Sequence, residues 1–101
     1  MKYLKHLVSI ITAISISSVV SANEIRMAKA DWDTGYFQAE IYKQGLEKLG
    51  YKVTEPKAMK PQVFYVAAAA GDLDLWVNGW FGTHDTYLKE SRGKVKPVGY
   101  V

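Results

Sequence analysis

The sequence predicts an α/β fold built on a parallel sheet, and three observations carry that reading. Ile25-Arg26-Met27-Ala28-Lys29-Ala30 alternates apolar and polar residues, the period of a strand. From Tyr36 to Leu49 the apolar residues recur at helical spacing, with Ala39, Tyr42, Leu46 and Leu49 on one stripe and Phe37 and Ile41 beside it. Leu73 to Trp80 is apolar enough on both faces to lie between two helix layers. Strand, helix, strand, helix, strand in that order implies parallel strands joined by right-handed crossovers.

The segment before the first strand reads differently. Lys2 and Lys5 form a positive start, Leu7 to Val20 an apolar stretch, and Val20-Ser21-Ala22 a small-residue cleavage site. Residues 1–22 therefore read as an export signal cut before Asn23. The apolar run is shorter than the roughly 20 residues a membrane span needs. Loss of Lys2 and Lys5 lowers the Lys+Arg count from 13 to 11 against 10 acidic residues, so the net charge drops from +3 to +1. That balance implies no polyanionic partner, and the cluster Arg92, Lys94, Lys96 reads as a solvated face rather than a nucleic-acid patch. There is no cysteine, so the sequence holds neither a disulfide framework nor a lipobox.

The remaining elements follow in order. Asp31 to Gly35 is a loop in which Asp33 or Thr34 can cap the first helix. Gly50 suits the position just past that helix, with Tyr51 making the accompanying apolar contact. Tyr51 to Thr54 reads as a second strand and Pro56 to Pro61 as a connection. Pro61 opens a helix that runs to Ala70 and ends at Gly71, and Ala67 to Ala70 reads either as close packing on the sheet or as simple helix propensity. Asp85 can cap a short helix over Thr86 to Glu90, and Val95 to Val101 reads as a last strand.

Ligands of such sheets sit beyond the carboxyl ends of the strands. The loops at that edge, Asp31 to Gly35 and Phe81 to His84, each carry or adjoin a tryptophan. Trp80 is either turned toward a cleft or packed as core. Trp76 reads as core, on the same face as Trp80 by strand alternation. His84 is either a donor to a carboxylate or a loop histidine without a role, and Trp32 either a second ring or a clamp on the first strand. Asp85 beside His84 disfavours an anion unless its carboxylate is turned away. Asp72 and Asp74 can be read as paired acids, but they also suit a helix end and a strand start. No phosphate loop, nucleophile elbow or zinc motif is present.

Ala70-Gly71-Asp72-Leu73-Asp74 followed by Asn78-Gly79-Trp80-Phe81-Gly82-Thr83-His84-Asp85 resembles the first lobe of periplasmic glycine betaine/proline betaine-binding proteins, the substrate-binding components of osmoprotectant ABC importers. Leu46-Glu47-Lys48-Leu49-Gly50-Tyr51-Lys52-Val53 and Asp31-Trp32-Asp33 are similar to that family's first helix-to-strand passage and first ligand-side loop. The resemblance implies a type II-like parallel-sheet lobe over residues 23–101, with the second lobe absent. It further implies a tryptophan box around a trimethylammonium head, with Trp80 as one wall, Trp32 as a weaker transfer, and His84 holding the carboxylate. No metal and no cofactor is expected. The partners it implies are a betaine-like zwitterion and an inner-membrane ABC permease, in a periplasmic setting. A half-box leaves the cation wet, so the chain alone is expected to bind betaine weakly or not at all; micromolar affinity for residues 23–101 would contradict that expectation. Two other readings stand beside it. One is a hydrolase using Asp72, Asp74 and His84, for which no nucleophile with a base and an orienter is present. The other is a remnant or interaction species whose exposed sheet edge associates without binding ligand.

Overall fold

The computed structural model describes residues 24–100. The export signal read at residues 1–22, and Val101, lie outside the described residues. The elements are β1 (Glu24–Ile25), β2 (Ala28–Ala30), α1 (Asp33–Lys48), β3 (Lys52–Val53), β4 (Lys57–Met59), α2 (Pro61–Ala69) and α3 (Asp85–Glu90). β1 pairs with β3 and β2 with β4, both parallel. On its other side the same run of chain pairs through Met27 with Leu75, again parallel. Residues 24–30 are thus the central strand, as the α/β pattern requires.

The pairing with β3 and β4 slips by one residue between its two halves. Glu24 faces Lys52, but Ala28 faces Lys57. Thr54-Glu55-Pro56 takes up the extra residue, and Pro56 has no N–H to give the ladder. The Thr54 hydroxyl fills the break by accepting the Met27 N–H at 3.2 Å. The connection read at Pro56 to Pro61 therefore contains a strand, β4; a bulge lets the chain resume pairing after the proline.

Side chains of the central strand alternate between two layers. Met27 faces α1 in a cluster with Ala39, Val53 and Val77. Ala28 faces α2 with Phe64 and Tyr65, joined by Trp76, Leu73, Tyr87, Leu88 and Val95. Each fully buried large side chain in such layers contributes about 1.5–3 kcal/mol, so two such small clusters make a modest core.

Helix ends agree with the sequence at some points and correct it at others. Gly50 adopts φ +96°, and the Gly50 and Tyr51 N–H groups close the end of α1 on Glu47 and Leu46. Pro61 begins α2. The cap position of α1, however, is Trp32, and neither Asp33 nor Thr34 occupies it; Asp33 lies inside the first turn, where a negative charge complements the helix dipole. Asp85 does not cap α3 either. It is the first residue of that helix, and its carboxylate reaches back to accept the Gly82 N–H at 2.8 Å.

Two expected strands are also corrected. Of Leu73 to Trp80, only Leu75 makes a bridge. The Asp74 and Leu75 N–H groups donate to Arg26 and the Ala28 N–H to Leu75, after which the chain leaves the ladder. Strand alternation therefore does not relate Trp76 to Trp80. Residues 96–100 form no strand, because no neighbour pairs with them; Val98 and Tyr100 are about nine-tenths exposed.

Gly35 fixes how closely α1 approaches the end of β2. A Cβ there would overlap the Ala30 side chain and lie 2.5 Å from the Ala30 carbonyl oxygen. Gly35→Ala is expected to destabilise the fold by about 1–3 kcal/mol, the usual cost of overpacking. Urea unfolding followed by circular dichroism should show a lower midpoint at unchanged slope; an unchanged midpoint would contradict the packing described.

Candidate functional site

Three tryptophans meet where the central strand ends. Trp32 follows β2 by two residues and precedes α1; Trp76 follows the Leu75 bridge; Trp80 lies four residues further on. The Trp32 ring sits between the other two, with centroids 6.3 Å from each and interplanar angles of 74° to Trp76 and 86° to Trp80. These are edge-to-face contacts, the preferred geometry of ring quadrupoles. Trp76 also stacks on Phe64 at 4.9 Å, so one side of the cluster is anchored in the α2 layer. The sequence read Trp76 as core. It is half-buried and packs on that layer, while its other contact leads to Trp32.

Trp80 is the outward member, 56% exposed. Its indole N–H donates to Asn78 Oδ1 at 2.5 Å. The Asn78 amide N–H in turn donates to Gln38 Oε1 of α1. The indole N–H groups of Trp32 and Trp76 are buried without a hydrogen-bond partner.

His84 is joined to Trp80 through a tight turn. The His84 N–H donates to the Trp80 carbonyl at 2.8 Å, and the Trp80 N–H donates to His84 Nδ1 at 3.1 Å. Gly82 completes the turn at φ +89°, a conformation glycine adopts without strain. Because Nδ1 accepts from a backbone N–H, the neutral ring carries its proton on Nε2. Tyr65 Oη lies 3.4 Å from the same Nδ1. The imidazole is only 3% exposed, and burial holds its pKa below the ordinary histidine value. Burial, followed by the charge of Asp85, raises that of Tyr65.

The site residues expected from the sequence therefore fall into one region. Trp32 and Trp80 touch, and His84 shares a turn with Trp80. The Asp85 carboxylate is occupied by the Gly82 N–H. Asp74 is engaged by Arg26 through two guanidinium contacts of 3.0 and 2.9 Å and a backbone N–H at 2.8 Å, which makes it a structural partner of the central strand. Asn78, Gln38 and Tyr65 were not singled out in the sequence. The one available signal was Asn78, a polar residue within an apolar run, because a buried amide demands partners.

A hollow also borders the Trp76 side of this cluster. It is an open cleft of about 440 Å³ bordered by Phe64, Leu73, Trp76, Leu88 and the tail from Lys94 to Tyr100, and its lining does not include Trp32, Trp80 or His84. No helix among the described residues is long and apolar enough to cross a membrane.

Comparison with known proteins gives this geometry a context. Residues 23–100 match the model of the substrate-binding domain of ABC-type glycine betaine transport systems. The chain is similar to the glycine betaine/carnitine transport binding protein GbuC of Listeria monocytogenes serotype 1/2a (strain 10403S), with 28% identity over 81 residues. That alignment covers 79% of this chain and 27% of the relative, so the chain spans about a quarter of the relative's length. No solved structure gives a significant match. The chain belongs to the family of substrate-binding domains of ABC-type glycine betaine transport systems.

Proposed function

We propose that residues 23–101 form a partial substrate-binding lobe that supplies one wall of a site for a zwitterion with a quaternary-ammonium head, of the glycine betaine class. The observation that carries this is Trp80: an exposed indole, in T-shaped contact with Trp32, at the carboxyl end of the central strand and tied by one turn to a histidine. A quaternary ammonium has no N–H to donate, so ring faces are the groups that can hold it. Such contacts are worth about 0.5–1 kcal/mol when exposed and about 2 when desolvated. Trp32 is the neighbouring ring. His84 contributes through Nε2–H, the donor left once Nδ1 is used, and this suits the anionic end of the ligand.

In this reading the chain performs no covalent chemistry and uses no cofactor or metal. Residues 1–22 direct export and are removed, which makes Asn23 the first residue of the exported form; N-terminal sequencing decides that point. The receptor would work in the periplasm, passing its ligand to an ABC permease in the inner membrane. Preference among glycine betaine, proline betaine and carnitine would follow from groups that surround Trp80 in the bound state. A second reading has its own support: the unpaired stretch beyond Leu75 and the exposed Val98 and Tyr100 suit a species that associates through its open edge and binds no solute.

Tryptophan fluorescence titrated with glycine betaine separates the two. A saturable change with a midpoint in the millimolar range is expected, and Trp80→Ala should abolish it. No Trp80-dependent response would contradict the receptor reading. A micromolar midpoint would contradict the view that this wall alone holds the cation weakly.

The protonation of His84 gives an independent test. Its folded pKa lies below the unfolded value of about 6.5. Between the two values the unfolded chain binds the proton and the folded chain does not, so stability falls as pH drops through about 6.5 and levels off below the folded pKa. Protonation also removes the Nδ1 lone pair that accepts the Trp80 N–H. His84→Asn, which keeps an acceptor near that position, should flatten the stability profile across this window in urea unfolding at stepped pH. A wild-type profile as flat as the variant's would contradict the buried, neutral assignment.

A further inference from the structure

We propose that Asn78, held in turn by Gln38, is the positioning residue for Trp80: it fixes the indole by its N–H edge and so leaves the ring face as the part of Trp80 offered to a ligand. The inference rests on the reading of Trp80 as a ligand contact and adds the residues that aim it.

The direction of the network is set by chemistry. An indole nitrogen only donates, so the Asn78 atom that faces it must be the oxygen. The Asn78 NH₂ group is thereby turned toward α1, where the facing atom of Gln38 must accept, and Gln38 Oε1 does. Each assignment follows from the one before, and the chain of donors starts at Trp80. Swapping the oxygen and nitrogen of the Asn78 amide would place its NH₂ against the indole N–H.

Both ends of the relay stand on rigid ground. Gln38 precedes Ala39 and Asn78 follows Val77, and Ala39 and Val77 belong to the same buried cluster. Asn78 itself is 6% exposed, so its amide would be costly to leave unpaired. Trp80, by contrast, is on a loop and more than half exposed. A side chain in that setting is free to change rotamer unless something holds it. The Asn78 oxygen ties it to the core at a fixed edge. The consequence for recognition is specific. An indole whose N–H is already satisfied has no donor to spend on an anion or a carbonyl. It offers a π surface, which suits a cation that carries no N–H of its own.

The test uses the full chain labelled with ¹⁵N, and reads solvent exchange of the three indole N–H groups, with the Trp80 signal assigned by Trp80→Phe. Asn78→Leu and Gln38→Ala should each speed exchange of the Trp80 indole proton about fivefold or more, the factor corresponding to one typical net hydrogen bond. Asn78→Asp, which keeps an oxygen toward the indole, should stay near the wild-type rate. The Trp32 and Trp76 indole signals should not move, which reports that the fold is intact. In parallel, Asn78→Leu and Gln38→Ala should weaken the glycine betaine response of the wild type by a comparable factor. Unchanged Trp80 exchange in Asn78→Leu would overturn the proposal, as would wild-type exchange in Gln38→Ala, a variant on a helix surface that remains informative if Asn78→Leu fails to fold. A wild-type chain whose Trp80 indole is protected but which shows no response to betaine would support the clamp and overturn the receptor reading, so the two failures are distinct.

Discussion

The arrangement depends on the grip that Arg26 and Asp74 place on the third extended segment. The central strand is paired on one side by two short ladders and on the other by little more than the backbone bonds around Leu75. Asp74 completes that thin side. Its carboxylate takes both the guanidinium and the backbone N–H of Arg26, and the guanidinium holds the carboxyl below its ordinary pKa range. An exposed ion pair contributes little on its own. Here it is two-pronged and reinforced by the ladder, a geometry with more directional definition than a point-charge contact. Trp76, Asn78 and Trp80 all follow within six residues, so their placement at the strand ends is inherited from this one attachment.

Beyond the attachment, the site is arranged for presentation more than for stability. Two edge-to-face contacts contribute about 0.5–1.5 kcal/mol each beyond simple burial. Against this stand two buried indole N–H groups without partners, on Trp32 and Trp76, each costing about 1–3 kcal/mol. The cost is about twice the gain, so ring contacts alone do not account for the cluster. What it achieves is a shelf: Trp76 stacked on Phe64, Trp32 in T-shaped contact with Trp76 and Trp80, and Trp80 outermost and more than half exposed. His84 closes the turn behind Trp80 with Nδ1 accepting the Trp80 N–H and its proton on Nε2. In the proposed function, ring faces would meet a cation and the neutral imidazole an anion, a pairing that suits a zwitterion.

How much of this was legible in the sequence follows from what each signal measures. Periodicity found the central strand and the first helix, because those elements bury a face and burial is what periodicity records; the second helix was read from Pro61 and Gly71 at its ends. Gly50 and Pro61 were readable because their backbone constraints are local. β4 was not: Pro56 masks it, and the bulge that rescues the pairing depends on a side-chain oxygen from Thr54. The stretches from Leu73 to Trp80 and from Val95 onward carry strand-like composition, yet a strand needs a neighbour, and composition cannot say whether one is there. In the site, Trp32, Trp80 and His84 stood out as residue types at strand ends and through family likeness. The Asn78–Gln38 relay did not, since its members lie 40 residues apart and nothing in either segment names the other.

The role proposed for the Trp80 face, beside Trp32, is to meet a quaternary ammonium. The most direct measurement is a set of intermolecular nuclear Overhauser effects between the N-methyl protons of glycine betaine, at millimolar concentration, and the protein. This role predicts cross-peaks to the indole ring protons of Trp80, with weaker ones to Trp32. Cross-peaks confined to Phe64, Leu88 and Val95 would place the ligand in the apolar cleft instead and contradict it.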